Sequence, residues 1–425
     1  MNRKIAPLIK DAVEYKLELK PYQHYTLDNG VPVYAVNAGA QEVLQLEVVF
    51  YAGNCYEENK GVAAAANFLL KNGTSGRTAL QINEAFEYYG GYCNRACYNE
   101  TAVITLHTLT KHVEKLLPVI QEMLTDSVFP QEELDIYRQN SKQRLQVNLK
   151  KCEFVAGRLI DSYLYGENHP YGTFTNPEEF DHLCTDDIKA FYQKRYLQGH
   201  CVIFAAGNIP ANLTQLLNDF FGKLSIGKPP SSLPVINPVP ATGKKYRIQN
   251  DAASVQGAIR IASHFPNRHH PDFKKAIILN NVFGGFFGSR LMSNIREDKG
   301  YTYGIHSYLQ NHIQHSAWMI STEAGKDVCE ATIEEVYREM KRLREEKIGE
   351  EELLLVRNFM IGGILGDLDG PFQIMAKWKN IILNNLDGNY FYDSVNEIKR
   401  VSAVELQEIA NKYLVPEQFY ELVVY

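Results

Sequence analysis

Apolar residues recur along this chain at two spacings, which predict two kinds of secondary structure. Residues 112–124 and 330–343 carry apolar side chains at i, i+3 and i+4, as a helix with one buried face does. Residues 45–53 (QLEVVFYAG) and 101–109 (TAVITLHTL) alternate in polarity, which is typical of strands. The pattern therefore predicts an α+β protein in which strands lie between amphipathic helices.

The predicted elements occur twice in the same order. Strand-like openings lie at 24–36 and 244–263, and long helical stretches follow each of them. A Glu-Glu-Leu triplet with a following arginine occurs at 132–138 and again 219 positions later, at 351–357. This repetition predicts two homologous halves of the α/β-sandwich type, each a mainly antiparallel sheet with helices packed on it.

A proline-rich stretch separates the two halves. Residues 224–245 contain five prolines and few large apolar side chains. Proline has no backbone N–H to donate, so this composition predicts an extended linker. We predict an N-terminal domain of residues 1–223, the linker at 224–245, and a C-terminal domain of residues 246–425.

Composition and charge exclude several classes of protein. The 425 residues are 45% hydrophobic and 22% charged, with a formal net charge of -6 and no basic stripe that would favour a nucleic-acid partner. The sequence contains no run of about 18 uncharged apolar residues, so no membrane span is predicted. Residues 1–16 lack the apolar core of a signal peptide, so we expect a cytoplasmic protein, or a periplasmic one if a leader has been removed.

Cysteines and histidines give only weak metal signals. The seven cysteines form no C-x-x-C motif, and the closest pair, Cys93 and Cys97, favours reduced, partly buried thiols over a zinc site. Two histidine groups are alternative candidates for a metal site: His264 with His269 and His270, and His312 with His315. Neither has a nearby acid at a suitable spacing, and the second lies in a strand-like stretch that would point the two rings to opposite faces.

Four motifs together resemble one known family. They are TLDNGVPVY (26–34), GVAAAANFLLKNGT (61–74), EYYGGYCNRACYNETAV (87–103) and FGGFFGSRLMSNIREDKGYTYGI (283–305). In combination they resemble the insulinase/pitrilysin family of zinc metallopeptidases, the inverzincins, over most of the chain. That family includes mitochondrial processing peptidases and small bacterial two-domain members.

The resemblance implies that the zinc site has been lost. In the family, a helix with the pattern H-x-x-E-H supplies two zinc ligands and the base that activates water, and a carboxylate about 76 residues downstream completes the metal shell. Here Ala64 and Phe68 occupy the histidine positions, Asn67 the base position and Arg144 the carboxylate position. An amide cannot act as the base, and a fixed cation would repel the metal. We therefore expect no metal, no cofactor and no hydrolysis by this chain alone.

The C-terminal half keeps two residues that the resemblance assigns to catalysis. In family members, this half contributes an arginine and a tyrosine that orient the substrate and stabilise the oxyanion. Arg296 and Tyr303 match them by position. The alternative is that Arg296 is a surface helix residue and Tyr303 a strand residue that packs on a core.

A further retained segment is implied to bind substrate. In the family, the glycine-containing segment at Gly90, Gly91 and Asn94 forms a sheet edge onto which an extended peptide adds as a strand. Arg95 replaces the usual alanine, which puts ordinary substrate geometry in doubt. The alternative is a tight turn whose glycines allow positive φ.

Three hypotheses follow for function. The first is a non-catalytic subunit of a heterodimeric zinc metallopeptidase, which closes the peptide chamber and supplies Arg296 and Tyr303 to a zinc-bearing homologous partner. The second is a standalone peptide-binding or scaffold protein, including a homodimeric one, with no role in cleavage. The third is an active peptidase with an unrecognised site, which stoichiometric zinc in the purified chain would indicate.

Overall fold

The structure is a computed structural model that describes residues 11–230 and 235–425. The first ten residues, which belong to the stretch without a predicted signal peptide, lie outside the described residues. So do residues 231–234 of the predicted linker. Within the described ranges, no helix has the length and apolar content needed to cross a membrane.

Six strands form one sheet in the N-terminal half, in the order β1-β2-β6-β3-β5-β4. Their bounds are β1 (Gln23–Thr26), β2 (Pro32–Asn37), β3 (Val43–Phe50), β4 (Tyr92–Cys97), β5 (Ala102–Leu109) and β6 (Cys201–Gly207). The pair β2–β6 is parallel, and the other neighbours are antiparallel. The strands predicted at 45–53 and 101–109 correspond to β3 and β5.

Five strands form the second sheet, in the order β7-β11-β8-β10-β9. Their bounds are β7 (Lys245–Ile248), β8 (Gln256–Phe265), β9 (Thr302–Asn311), β10 (Ser316–Gly325) and β11 (Tyr420–Val424). Here β7–β11 is parallel and the rest are antiparallel. This sheet repeats the order and directions of β2-β6-β3-β5-β4, which confirms the prediction of two homologous halves.

Helices cover the sheets in both halves. The N-terminal half contains α1 (Val62–Leu69), α2 (Ala79–Tyr88), α3 (Val113–Thr125), α4 (Gln131–Asn148), α5 (Cys152–Tyr165), α6 (Glu179–His182), α7 (Thr185–Tyr192) and α8 (Leu213–Phe221). The C-terminal half contains α9 (Phe273–Asn280), α10 (Cys329–Glu345), α11 (Glu350–Asp367), α12 (Pro371–Leu383), α13 (Tyr390–Arg400) and α14 (Ala403–Tyr413). The predicted helices at 112–124 and 330–343 correspond to α3 and α10.

Each half contributes one helix to the sheet of the other half. Helix α5 packs on β8 and β11 of the second sheet, where Ile160 and Leu164 share a buried cluster with Leu422. Helix α12 packs on β2 and β6 of the first sheet, where Trp378 shares a cluster with Phe204. The halves therefore bury apolar surface reciprocally, while the predicted domain boundaries stay a prediction.

The repeated Glu-Glu-Leu…Arg motif has the same structural role in both halves. The Arg138 guanidinium donates to the Phe180 and Asp181 carbonyl oxygens at 2.9 and 2.6 Å. Arg357 donates in the same way to Ile398 and Val401, at 3.2 and 2.6 Å. These carbonyls lie at or beside helix C-termini, where few intrahelical N–H donors are available. The motif therefore serves the architecture in each half.

Candidate functional site

Helix α1 carries the positions at which the family holds zinc. Gly61 precedes the helix with φ +86°, a left-handed conformation that suits glycine. The side chains of Ala63, Ala65 and Ala66 are fully buried, which explains why this segment is rich in alanine. At the N-terminus of the helix, the Ala63 N–H donates to the Glu57 carboxylate at 2.9 Å. The helix is thus fixed in place by contacts within the chain.

The side chains at the lost ligand positions cannot bind zinc. Ala64 offers no donor atom, and Asn67 is buried with its amide donating to the Tyr196 hydroxyl at 3.2 Å. Phe68 packs against Tyr137 of α4, with ring centroids 5.0 Å apart and ring planes tilted by 38°. Across residues 11–230 and 235–425, no three His, Cys, Asp or Glu side chains are grouped so that they could hold a metal ion. The residues present do not fit a zinc ion.

Arg144 lies on the side of α4 that faces this helix. It is exposed, and Ser141 and Tyr137 lie one and two turns before it on the same helical face. Burial raises the pKa of the Tyr137 hydroxyl to about 12, against smaller lowering by a hydrogen bond with Ser141 and by the charge of Arg144. Arg144, the charge reversal predicted at the carboxylate position, therefore lies near Tyr137, which contacts Phe68.

Arg95 fills the space beside Phe68. Its guanidinium lies 4.8 Å from the Phe68 ring centroid, and Nη1 donates to the Phe68 carbonyl oxygen and, at 3.2 Å, to Asn72 Oδ1. Asn72 in turn donates to the Glu133 carboxylate at 2.7 Å. From sequence, Arg95 is only a departure from the usual alanine. An arginine at 95 together with an aromatic residue at the ligand position 68 was the sequence signal for this contact, because a guanidinium and an aromatic ring attract each other.

The segment predicted to bind substrate is an edge strand preceded by a glycine turn. Among the described strands, β4 pairs with β5 alone and ends the first sheet. Gly90 has φ +62°, and a Cβ on Gly91 would lie 2.6 Å from Leu116 Cδ1, so the local structure favours glycine at both positions. Asn94 is exposed on β4. The turn and the free edge coexist here, and the contact of these residues with substrate stays a prediction.

Arg296 and Tyr303 lie together. Arg296 belongs to a π-helical turn (Met292–Asp298) and donates from Nε to the Tyr303 carbonyl oxygen at 2.9 Å. Its guanidinium also lies 4.7 Å from the Phe287 ring centroid. The Tyr303 side chain is 91% exposed and does not pack in a core. Within the described ranges, no hydrogen bond, ion pair or ring contact connects this pair with the side chains at the lost zinc positions.

The histidine groups differ from the expectation. Residues 312–315 form the turn between β9 and β10, in which the His312 N–H donates to the His315 carbonyl at 3.0 Å. A turn can direct both rings to one side, and both contact Tyr165, so the expectation of opposite faces was wrong. His264 also contacts Tyr165 and does not group with its predicted neighbours; His269 bonds to the Asn384 carbonyl at 2.9 Å.

These rings belong to a junction between the halves that sequence analysis missed. His169 and His315 each bond from Nε2 to the Ile236 carbonyl oxygen of the linker at 3.0 Å. The His312 ring stacks on Tyr171, with centroids 4.0 Å apart. Burial lowers the pKa of His312 to about 4. The junction therefore joins both halves and the linker through ring contacts and hydrogen bonds.

Comparisons with known proteins match both halves. Residues 33–177 match the family model described as Insulinase (Peptidase family M16), and residues 183–360 match the one described as Peptidase M16 inactive domain. The uncharacterized zinc protease YmxG of Bacillus subtilis is 24% identical over 394 residues, which are 91% of this chain and 93% of that protein.

Two solved structures share the fold. The peptidase M16 inactive domain from Pseudomonas fluorescens has a TM-score of 0.84 at 22% identity, over 95% of this chain and 98% of that one. A protease from Helicobacter pylori also has a TM-score of 0.84, at 17% identity, over 96% and 100% of the two chains. Together with the sequence matches and the residues at the zinc positions, these findings identify the chain as a member of the insulinase (M16) peptidase family that lacks the family's zinc motif.

Proposed function

We propose that this protein is the non-catalytic subunit of a heterodimeric zinc metallopeptidase. One observation carries the proposal: the zinc positions are filled by Ala64, Phe68 and Arg144, whereas Arg296 and Tyr303 remain together and accessible. A chain that had abandoned peptide hydrolysis altogether would have no need of an exposed pair of donors. The partner is a homologous subunit with an intact H-x-x-E-H helix, which supplies the metal and the base.

The chemistry of the retained pair suits this role. The charge of Arg296 is anchored by the Tyr303 carbonyl and the Phe287 ring, so the guanidinium is held in one place. The Tyr303 hydroxyl makes no hydrogen bond to any described residue, which leaves its proton free for a ligand. Positioned donors of this kind stabilise the oxyanion that forms when water attacks a peptide carbonyl. The free edge of β4, with Gly90, Gly91 and Asn94, would hold the peptide as an added strand.

Co-purification with a zinc-bearing homologue, followed by peptide-cleavage assays of each chain alone and of the mixture, tests the proposal. We expect activity only in the mixture, or a clear gain over the zinc-bearing chain. In the mixture, Arg296→Ala and Tyr303→Phe should each lower kcat by about 100-fold to 1000-fold, the usual cost of losing an oxyanion donor. The matched controls are Arg400→Ala and Tyr392→Phe on α13. Unchanged activity of both site variants would exclude the role in trans.

A second candidate function is a standalone peptide-binding or scaffold protein. The free edge of β4 favours it, because this edge is complete within the chain and needs no partner. It predicts that the isolated chain binds extended peptides and that no homologue gains activity from it. We also propose a cytoplasmic location, which cell fractionation would test.

A further inference from the structure

Arg95 places an incompletely paired positive charge beside the lost metal centre. Its Nη1 is occupied by the Phe68 carbonyl and by Asn72 Oδ1. Its Nε is sealed from solvent without a hydrogen-bond partner, and Nη2 makes no hydrogen bond within the described part of the chain. No ion pair joins Arg95 to a carboxylate among the same residues. The edge of the guanidinium formed by Nε and Nη2 is therefore unpaired.

A second cation lies close to Arg95. Lys71 is partly buried and donates from Nζ to the Cys93 carbonyl oxygen of β4 at 3.4 Å. Burial lowers the pKa of Lys71, and the charge of Arg95 lowers it further. Two carboxylates face this pair: Glu87 acts on Lys71, and Glu133 is bonded to Asn72 rather than to either cation. The surroundings thus retain positive charge.

The geometry of the sheet edge directs a ligand toward this charge. The Tyr98 N–H donates to the Thr101 carbonyl at 2.7 Å, and hydrogen-bonded pairs alternate along an antiparallel ladder. By the register of β4 and β5, the pair Asn94–Thr105 is then hydrogen-bonded, and the backbone groups of Cys93 and Arg95 point to the free edge, where Lys71 holds the Cys93 carbonyl. A residue of an added strand opposite Arg95 would have its Cβ roughly 5 Å away on the same face.

We propose that Arg95, assisted by Lys71, recognises a carboxylate of an extended peptide added to the free edge of β4. The inference rests on the peptide-binding part of the proposed function and names its substrate class. A carboxylate matches the fork of the guanidinium and accepts two parallel hydrogen bonds from it. It would pair first with Nη2, and a small shift of the Arg95 side chain would give Nε, which is sealed from solvent, the acceptor that the described chain does not supply. The carboxylate belongs either to an Asp or Glu side chain or to the C-terminus of the peptide.

Calorimetric titration of the full chain with three synthetic decapeptides tests the proposal. The first has a central Glu and an amidated C-terminus, the second has Gln at that position and the same amide, and the third has Gln and a free C-terminal carboxylate. We expect the wild type to bind the Glu peptide or the free-acid peptide about tenfold more tightly than the neutral one, as a charged hydrogen-bonded pair implies. The peptide that is preferred identifies the source of the carboxylate.

Substitutions separate recognition from packing. Arg95→Gln should remove the preference while the neutral peptide binds within about twofold of wild type, and Arg95→Lys, which keeps the charge but loses the fork, should keep only part of the preference. Arg400→Gln is the matched control and should keep the full preference for the carboxylate peptide. Because Arg95 also contacts Phe68, Lys71→Gln serves as a second variant that leaves that contact in place, and it should weaken the preference.

Each outcome has one meaning. If Arg95→Gln weakened the binding of all three peptides equally, Arg95 would have a purely structural role and the inference would be overturned. Binding of the neutral peptide with no preference in the wild type would overturn the inference alone. Failure of every peptide to bind would overturn peptide binding at β4 as well, whereas the role of Arg296 and Tyr303 is decided separately by the cleavage assay with the partner.

Discussion

Phe68 contacts side chains from two other elements although its own side chain is 40% exposed. The Tyr137 ring of α4 is tilted against its ring, and Arg95 of β4 donates to its carbonyl while lying over the same ring. A histidine returned to this position would meet an arginine on one side and a phenol on the other. The loss of zinc at the residue scale is therefore accompanied by new contacts that fix α1 to its neighbours.

This packing predicts that the zinc motif cannot be restored by changing α1 alone. The variant Ala64→His/Asn67→Glu/Phe68→His should purify without stoichiometric zinc, because Arg144 remains at the carboxylate position and Arg95 adds a second charge that repels the ion. Elemental analysis of the purified protein measures the metal.

The control adds Arg144→Glu and Arg95→Ala to that variant. It should bind zinc far more tightly, since it combines the two histidines with a carboxylate. Stoichiometric zinc in the first variant would show that the cations at these positions do not exclude the metal.

Local patterns revealed most of the elements and the ligand positions. Ala64, Asn67, Phe68 and Arg144 were found from sequence because the motif is defined by fixed spacings. The role of Arg95 was not found, because its contact with Phe68 joins segments that only the folded sheet brings together. The junction at Tyr165 was missed for the same reason.

At the scale of elements, the exchange of α5 and α12 between the halves determines how the cores form. Periodicity predicts that a helix has an apolar face, but it does not identify the sheet that this face covers. The starts of α5 and α12, Cys152 and Pro371, are 219 positions apart, the same offset as the repeated motif. The crossing is therefore a property of the repeat itself.

Trp378 should stabilise the sheet of the opposite half. Its Nε1 donates to the Lys20 carbonyl at 2.8 Å, and its ring lies 4.8 Å from that of Tyr22. Trp378→Ala should lower the free energy of unfolding by about 3 kcal/mol, as the truncation of a large buried aromatic does. Hydrogen exchange should accelerate in β2 and β6, although the change lies in the C-terminal half.

Trp318 provides the comparison, since it is the other of the two tryptophans and is buried in the C-terminal half. Its Nε1 donates to Ser307 Oγ at 2.8 Å within that half. Trp318→Ala should accelerate exchange first in β9 and β10. If Trp378→Ala left hydrogen exchange in the first sheet unchanged, α12 would not contribute to the stability of that sheet.

At the scale of the whole molecule, the junction near Tyr165 joins the halves through contacts among tyrosine and histidine rings. Burial, with smaller contributions from His169 and His315, lowers the pKa of His312 to about 4. The unfolded chain takes up the same proton near pH 6.5, the ordinary value for histidine. Stability from this group is therefore full above about pH 6.5 and is lost as the pH falls toward 4.

Comparison with His312→Phe isolates this contribution. The phenyl ring keeps the stack on Tyr171 but cannot take up a proton. Between pH 7 and pH 4.5, wild type should lose roughly 1 to 2 kcal/mol more unfolding free energy than the variant, measured by urea denaturation. For Tyr171→Phe, which retains histidine at 312, the unfolding free energy should change with pH in parallel with that of wild type. Parallel profiles for wild type and His312→Phe would contradict the prediction.

The reciprocal placement of α5 and α12 also has a historical consequence. Two identical chains that trade one helix each form a domain-swapped dimer, and such a swap is an inexpensive way for a small protein to become dimeric. Joining the two genes end to end would preserve that arrangement in a single polypeptide. In such a fused chain, either half could lose a set of ligands while the contacts of α5 and α12 continued to hold the two sheets together.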